Sequence, residues 1–371
     1  MSLSRRKTLA LLGGGLILAA GTGAGVFAAT RTPHRALAPW AAAGGYAEAR
    51  LNALSWALLA PNPHNRQPWV AELVGADGLR IWRDPARNLP QTDPFDRQLT
   101  IGMGCFLELM VLAAAQTGHA VDLTLFPEGE GVSAPVAAAR FRPGAASADP
   151  LFAHAAARRS CKEPFEDRAI PAAALAALAP HARTITDPSL VAELRALTWD
   201  AFVIEAETPR TYRESVELMR FGRAEIEANP DGIDLGGPFL ESLMLAGLLS
   251  RAAQMDPSST AYRTGIDMYR TMLPATPAYA VLTTAGNARA DQIAAGRRWL
   301  RLNLAATGQG LALHPVSQAL QEYPEMAGPH ARAHALLAVP GETVQMLGRL
   351  GYGPTVPHTP RWPLETRLRN A

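Results

Sequence analysis

Three short stretches concentrate side chains that could do chemistry. Arg158-Arg159-Ser160-Cys161-Lys162 places two guanidiniums, a hydroxyl, a thiol and an ammonium in five positions. It stands where an Ala-rich segment gives way to EPFEDRAIP, so its charges are not part of a long solvated face. Arginine forks grip phosphate oxygens in pairs, at about 1.5–3 kcal/mol per charge-assisted bond. The cluster therefore suits a phosphate, although taken alone it also fits a basic surface turn. The second stretch, Leu59 to Trp69 (LAPNPHNRQPW), packs three prolines, two asparagines, a histidine, an arginine and a glutamine between an apolar run and a predicted strand. A plain connection needs only one or two turn formers, so this turn can hold something. The third, Gly351 to Pro363 (GYGPTVPHTPRWP), is stiffened by proline and carries one cation, Arg361, placed like a clamp.

Other candidates carry less. His330 and His334 fall four apart in GPHARAHALLA, the helical spacing of zinc ligands. No Glu follows the first and no third ligand is evident, so a solvated helix face is expected and no metal. Cys105 and Cys161 are the only cysteines; they could pair in an oxidising compartment, but two separate buried thiols are the expectation. No GxxxxGK phosphate loop occurs, and no Ser-His-Asp or Cys-His set can be picked from spacing.

The elements that must position these groups come from a globular chain. It has 371 residues, 48% hydrophobic and 18% charged, with a formal net charge of +2. That length allows two ordinary domains or one large one. No basic field argues for nucleic acid, so function rests on local constellations. Ahead of the globular part, Ser4-Arg5-Arg6-Lys7-Thr8-Leu9 precedes a Gly-diluted apolar run from Leu9 to Ala20. Paired arginines before a weak apolar core resemble a twin-arginine export signal. Cleavage after Ala28 fits the small residues of Val26-Phe27-Ala28; an uncleaved anchor is the other reading. Residues 1–30 are thus assigned to a signal, and 31–45 to a linker because Ala36 to Gly45 is rich in Ala, Gly and Pro. A first half spans 46–150 and a second 151–371, divided at the Pro/Gly/Ala/Ser-rich stretch Arg142 to Pro150.

Within the first half, helical spacing runs from Tyr46 to Ala60, WVAELVGADGLRIWRD reads as a hairpin, and Asp96 to Gly118 is a helix apolar nearly all round. VDLTLF and AAARFR are further strands. The second half has helices from Pro171 to about Tyr269, a strand over Ala280 to Thr284, a buried-type helix from Asp291 to Thr307, and strands in HALLAV and ETVQMLGRLGYG. An internal echo suggests duplication: Gly104 to Val121 aligns without gaps on Gly296 to Leu313, with six of eighteen positions identical, including two glycines. Two such helices would bury each other like a dimer fused into one chain.

The turn APNPHNRQPW resembles the nitroreductase family's SPSxxNxQPW, and RRSCKEPF resembles its RRSxRxF. DPFDRQLTIGMGC resembles the lead into that family's central helix, GQGLALHPVSQ its loop beside the flavin, and GYGPTVPHTPRWP its closing GYGxPxxxPRRP. No RRSxR precedes the turn in the first half, and LAPHARTITDP in the second has lost the Gln-Pro-Trp. One complete site and one dismantled site remain, an arrangement that resembles the fused, Acg-like branch. The fold expected from the resemblance is α+β: two nitroreductase-like halves fused into an intramolecular pseudo-dimer, with antiparallel or mixed sheets packed with helices.

The resemblance implies a flavin mononucleotide (FMN) oxidoreductase passing hydride or electrons to a quinone, nitroaromatic or similar acceptor. The alternative is an FMN-binding or storage protein whose flavin is capped by a lid, the long segment from about Glu205 to Met272. Arg158, Arg159 and Ser160 would hold the phosphate and ribityl end, with Arg361 closing on the phosphate. Lys162 would sit near the pyrimidine edge, where a cation stabilises reduced flavin. Asn65 and Gln67 would reach across from the first half, and Pro315, Ser317 and Gln318 would line the ring. No side chain is needed as acid or base, since the flavin carries the chemistry. The implied donor is NAD(P)H or a quinol, and the implied partner of the leader is the twin-arginine export machinery. The expected location is outside the cytoplasm, periplasmic or on the outer face of the cytoplasmic membrane. Two departures stand out: Ala60 and Asn62 replace serines of the turn, and Arg361-Trp362 replaces an Arg pair.

Overall fold

The computed structural model describes residues 30–144 and 146–369; the leader and its cleavage position lie outside the described residues, as all but the last residue of the assigned signal do. The fold is mixed α+β, with helices against antiparallel sheets. The first half opens with α1 (His34–Ala42) and α2 (Ala49–Ala57), then the hairpin β1 (Trp69–Val74) and β2 (Gly78–Arg83), α3 (Arg97–Gln116), β3 (His119–Leu125) and β4 (Ala137–Pro143). The second half has α4 (Ala172–Leu178), β5 (Arg183–Ile185), α5 (Pro188–Glu207), β8 (Ala278–Thr284), α11 (Arg289–Gly308), β9 (Ala312–Pro315), α12 (Ala327–Leu337) and β10 (Thr343–Gly351). Between α5 and β8 an insertion carries α6 (Pro209–Glu217), β6 (Met219–Phe221), α7 (Gly222–Ala228), β7 (Ile233–Leu235), α8 (Pro238–Leu245), α9 (Arg251–Met255) and α10 (Thr260–Met272).

The two larger sheets share one topology. Their strand orders are β1-β2-β4-β3 and β5-β8-β10-β9, every pairing antiparallel. In each, the long buried helix connects the second strand to the third in chain order. Those helices, α3 and α11, pack where glycine removes the side chain from both. A Cβ on Gly104 would come 2.2 Å from the Ile293 carbonyl oxygen, and one on Gly296 would come 1.9 Å from that of Ile101. The contact is reciprocal and keeps the offset of the sequence echo. The echo's other glycines, Gly118 and Gly310, follow the helices with φ of +75° and +68°, the left-handed conformation glycine adopts without Cβ strain. Glu108, buried on α3, takes Arg297 and Arg301 of α11 at 2.5 Å each.

Three expectations are corrected. The Ala36 to Gly45 stretch is no simple linker: His34–Ala42 is helical, and the Arg361 N–H donates to the Ala36 carbonyl at 2.8 Å. HALLAV is not a strand but the end of α12; short apolar runs do not distinguish the two, and here the helix continues from Ala327. His334 is not simply solvated, since its Nε2 receives the Val344 N–H at 3.2 Å.

Candidate active site

The turn after α2 is held against α3, where a Cβ on Gly102 would meet Asn62 Cβ at 3.1 Å. His64, Asn65 and Gln67 have φ of 47°, 51° and 48°, a left-handed conformation that costs a non-glycine residue roughly 1–2 kcal/mol. The strain is held by Asn62, whose Oδ1 takes the Gln67 N–H at 2.7 Å. It aims the Leu59 and Ala60 carbonyls inward and turns the Asn65 and Gln67 carboxamides toward the C-terminal tail. Gln67 Oε1 accepts from the Trp362 N–H (2.9 Å) and its Nε2 donates to the Pro230 carbonyl (2.7 Å). Asn65 Oδ1 accepts from Arg361 (2.6 Å) and its Nδ2 donates to the Pro360 carbonyl (3.0 Å). These amides lock the turn to the tail and the insertion.

The basic segment lies alongside β9, with the Cys161 N–H donating to the Leu313 carbonyl at 3.2 Å. The tail crosses it so closely that a Cβ on Gly353 would meet Phe165 at 2.9 Å and Cys161 Sγ at 3.3 Å. Arg158 and Arg361 are thereby buried side by side. Both Nη2 groups donate to the Leu59 carbonyl, at 3.0 and 3.3 Å. Burial lowers both guanidiniums, Arg158 to about 10 and Arg361 to about 9, and Arg158 lowers Arg361 further. Among the described residues no carboxylate hydrogen-bonds or ion-pairs with either, and Arg361 Nε is buried without a partner. Two desolvated like charges need an anion between or beside them.

Arg159 is turned away: it donates to the Val356, Ala156 and Arg158 carbonyls and lies over Trp40, 5.4 Å from the ring centre. Ser160 is half-buried and Lys162 exposed. The Lys162 ammonium nevertheless lies close enough to four groups to act on all of them. Burial drives His64 down to about 4 and His314 well below the usual imidazole range, and Lys162 pushes both the same way. Burial raises Glu205, at the end of α5, to about 7 and Asp234, on β7, above its usual range; Lys162 opposes both shifts. His64, Glu205 and Asp234 keep accessible surface although protein surrounds them on nearly every side. Two open cavities, of about 660 and 540 Å³, lie elsewhere and touch none of Arg158, Lys162 and Arg361. Convergence of charge, not the size of an opening, locates the site.

Around the ring-side loop, Ser317 is buried with its hydroxyl 3.7 Å from Met346 Sδ, while Pro315 and Gln318 are half-exposed. Sequence reasoning missed Arg349, and it named the insertion only as a lid, without the residues that fasten it. Arg349, fully buried, donates to Thr276 Oγ1 (2.7 Å) and the Glu163 carbonyl (3.1 Å) and lies 3.2 Å from His314 Nδ1, bracing the basic segment from behind. The insertion is pinned by Asp231 to Arg87 (2.6 Å), Arg220 (2.7 Å) and Arg66 (3.7 Å). Burial alone would raise Asp231; the Arg220 hydrogen bond and the three positive charges outweigh it and hold the carboxyl below its usual range. Glu214 adds a second pin, accepting from the Gln91 and Thr92 N–H groups and the Thr92 hydroxyl.

No protein-family model matches the chain. It is similar to two proteins of Mycobacterium tuberculosis, strains CDC 1551 / Oshkosh and ATCC 25618 / H37Rv, each named "Putative NAD(P)H nitroreductase". Each is 26% identical over 331 residues, covering 85% of this chain and 89% of the relative. Among solved structures, an FMN-dependent nitroreductase NfnB from Mycobacterium smegmatis in complex with NADPH aligns at 19% identity and a TM-score of 0.36, over 58% of this chain and 94% of its own. A nitroreductase-like family protein from Bacillus cereus aligns at 13% and 0.32, over 61% and 97%. The similarity to the two mycobacterial proteins, each named a nitroreductase, runs along most of both chains.

Proposed function

We propose that the chain is an FMN-dependent oxidoreductase of nitroreductase type, with one flavin held between two fused halves. The observation that carries this reading is the pair of buried guanidiniums, Arg158 and Arg361, meeting at one carbonyl with, among the described residues, no carboxylate hydrogen-bonded or ion-paired to either; Asp234 acts on Arg361 from further off and is itself pushed toward its neutral form by burial. A phosphate monoester supplies the missing charge. Lys162 acts on His64, Glu205 and Asp234 together, and burial shifts these imidazole and carboxyl groups toward their neutral forms. Such a setting suits a largely uncharged ring with a charged tail. The shared sheet topology and the reciprocal Gly104–Gly296 contact support the reading of a pseudo-dimer within one chain.

When bound, FMN would supply two-electron redox chemistry, taken from NAD(P)H or a quinol and passed to an electron-poor acceptor such as a quinone or nitroaromatic. The chain's own residues bind the phosphate, fix the turn and exclude water. The leader supports export by the twin-arginine route, to the periplasm or the outer face of the cytoplasmic membrane. The test is an absorbance spectrum of the purified protein before and after anaerobic NADPH or quinol. One flavin per chain, bleached by the donor and restored by acceptor, is expected; a colourless protein that refuses added FMN overturns the proposal.

A second reading, FMN storage without turnover, is favoured by the pinning of the insertion. Asp231, Glu214 and the Gln67–Pro230 bond hold it down over the turn. Bound flavin that stays oxidised with every donor selects this reading.

A further inference from the structure

Helix α8 in the insertion wears its polarity inside out. Its buried residue is Glu241, whose carboxylate accepts from the Arg223 N–H at 2.9 Å and pairs with Arg31 at 3.2 Å. Leu245, one turn further along the same side of the helix, lines the same cavity as Glu241 but is left open to solvent. Leu245 is 75% exposed and Leu248, in the turn that follows, 60%, with Phe239 exposed beside them on the first turn. An apolar patch bordered by charge on an otherwise soluble surface marks a place of contact.

The border has one sign. Arg35 is 84% exposed while its partner Glu227 is 5% exposed, and Arg223–Glu227 and Arg31–Glu241 are arranged the same way, guanidinium outward and carboxylate beneath. Three guanidiniums share two carboxylates here, since Arg35 and Arg223 both pair with Glu227, so the rim is positive outward. The described chain also begins here: Thr30 and Arg31 line the same cavity as Met244 and Leu245. The apolar run Leu9 to Ala20 is only ten residues upstream of Thr30, so its end lies within roughly 33–36 Å of this face even when fully extended.

We propose that this face of the insertion rests on an anionic lipid bilayer. Phe239, Leu245 and Leu248 enter the headgroup boundary, and Arg31, Arg35 and Arg223 meet lipid phosphates. Where the leader is retained, its apolar run reaches the same bilayer. The proposal is independent of the flavin reading, since no residue of the face borders the candidate site.

The test uses the full chain with Leu245→Cys or Leu248→Cys, labelled with an environment-sensitive thiol fluorophore. Cys105 and Cys161 are buried and escape labelling. Val339→Cys, exposed outside the insertion, is the control. Phosphatidylglycerol vesicles are expected to give a blue shift and a several-fold rise in emission at 245 and 248, with none at 339. Arg35→Glu with Arg223→Glu should cut that response several-fold. A dye already blue-shifted without vesicles, and indifferent to lipid, overturns the proposal in favour of a second copy or the leader covering the face. An unchanged spectrum with every vesicle overturns it as well, and so does an equal response to pure phosphatidylcholine.

Discussion

Arg158 and Arg361, about two hundred positions apart in the chain, donate to the same carbonyl oxygen, that of Leu59. A neutral acceptor shared by two cations cannot offset the cost of burying both. Removing either should therefore do opposite things to binding and to stability. Arg158→Ala or Arg361→Ala is expected to weaken FMN binding by about 10- to 100-fold, the loss of one charge-assisted contact. The ligand-free protein should hold or gain thermal stability, because one desolvated like charge is gone. Flavin-fluorescence titration and thermal unfolding of the apoprotein measure the two effects. Unchanged affinity would place the phosphate elsewhere.

Asp231 is the opposite case, a buried carboxylate with three arginines around it. Asp231→Ala strands Arg66 and Arg220 and leaves Arg87 only Asp84, and breaking a buried ion pair costs about 3–5 kcal/mol. The damage should be local. Hydrogen exchange over residues 219–235 should speed up, and bound flavin should leave faster, while the exchange of α3 and α11 stays as it was. Flavin that then becomes reducible by NADPH would show that the insertion, rather than the ring's surroundings, withholds turnover.

Gly104 and Gly296 set how closely the two long helices approach. Alanine at either puts Cβ about 2 Å from a backbone carbonyl oxygen, and backbone cannot rotate aside as a side chain can. Gly104→Ala and Gly296→Ala are each expected to cost more than the usual 1–3 kcal/mol of overpacking. Gly118→Ala and Gly310→Ala should cost about 1–2 kcal/mol each, from left-handed backbone alone. Denaturant unfolding separates the two classes.

Much of this architecture was legible because it is local. The all-apolar run of α3, the hairpin β1–β2 and the glycine spacing of the echo are short-range patterns that packing leaves intact. Arg158, Lys162 and Arg361 could be picked as charge in unusual places. What stayed hidden depends on three-dimensional contact. Nothing near Asn65 or Gln67 reveals that their amides bond to the tail and to Pro230, and nothing near Arg349 or Asp231 reveals what each braces. The helix over His34–Ala42 was masked by Pro39, Ala and Gly, which read as linker until Ala36 is seen to bond the tail.

Glu205 and His64 both feel Lys162, and burial shifts each toward its neutral form. Glu205 has a folded pKa of about 7, raised first by burial, so the fold favours its neutral form. That contribution, at most about 3 kcal/mol, is complete below the unfolded value near 4.5 and is lost as pH rises to about 7. His64, lowered to about 4 first by burial, also favours its neutral form, but as a base. Its contribution, of similar size, is complete above about 6.5 and is lost as pH falls toward 4. Between pH 4.5 and 6.5 the two slopes have opposite signs, so these two contributions offset each other there. Glu205→Gln keeps an acceptor for Gln321, whose Nε2 donates to the carboxylate at 2.9 Å, and removes one slope. The variant is expected to match wild type near pH 4, to exceed it by up to about 3 kcal/mol above pH 7, and to show a rise through the window to which His64 and the other imidazoles lowered by burial, His314 among them, contribute. Parallel curves for the two proteins would mean that Glu205 meets bulk water in the folded protein.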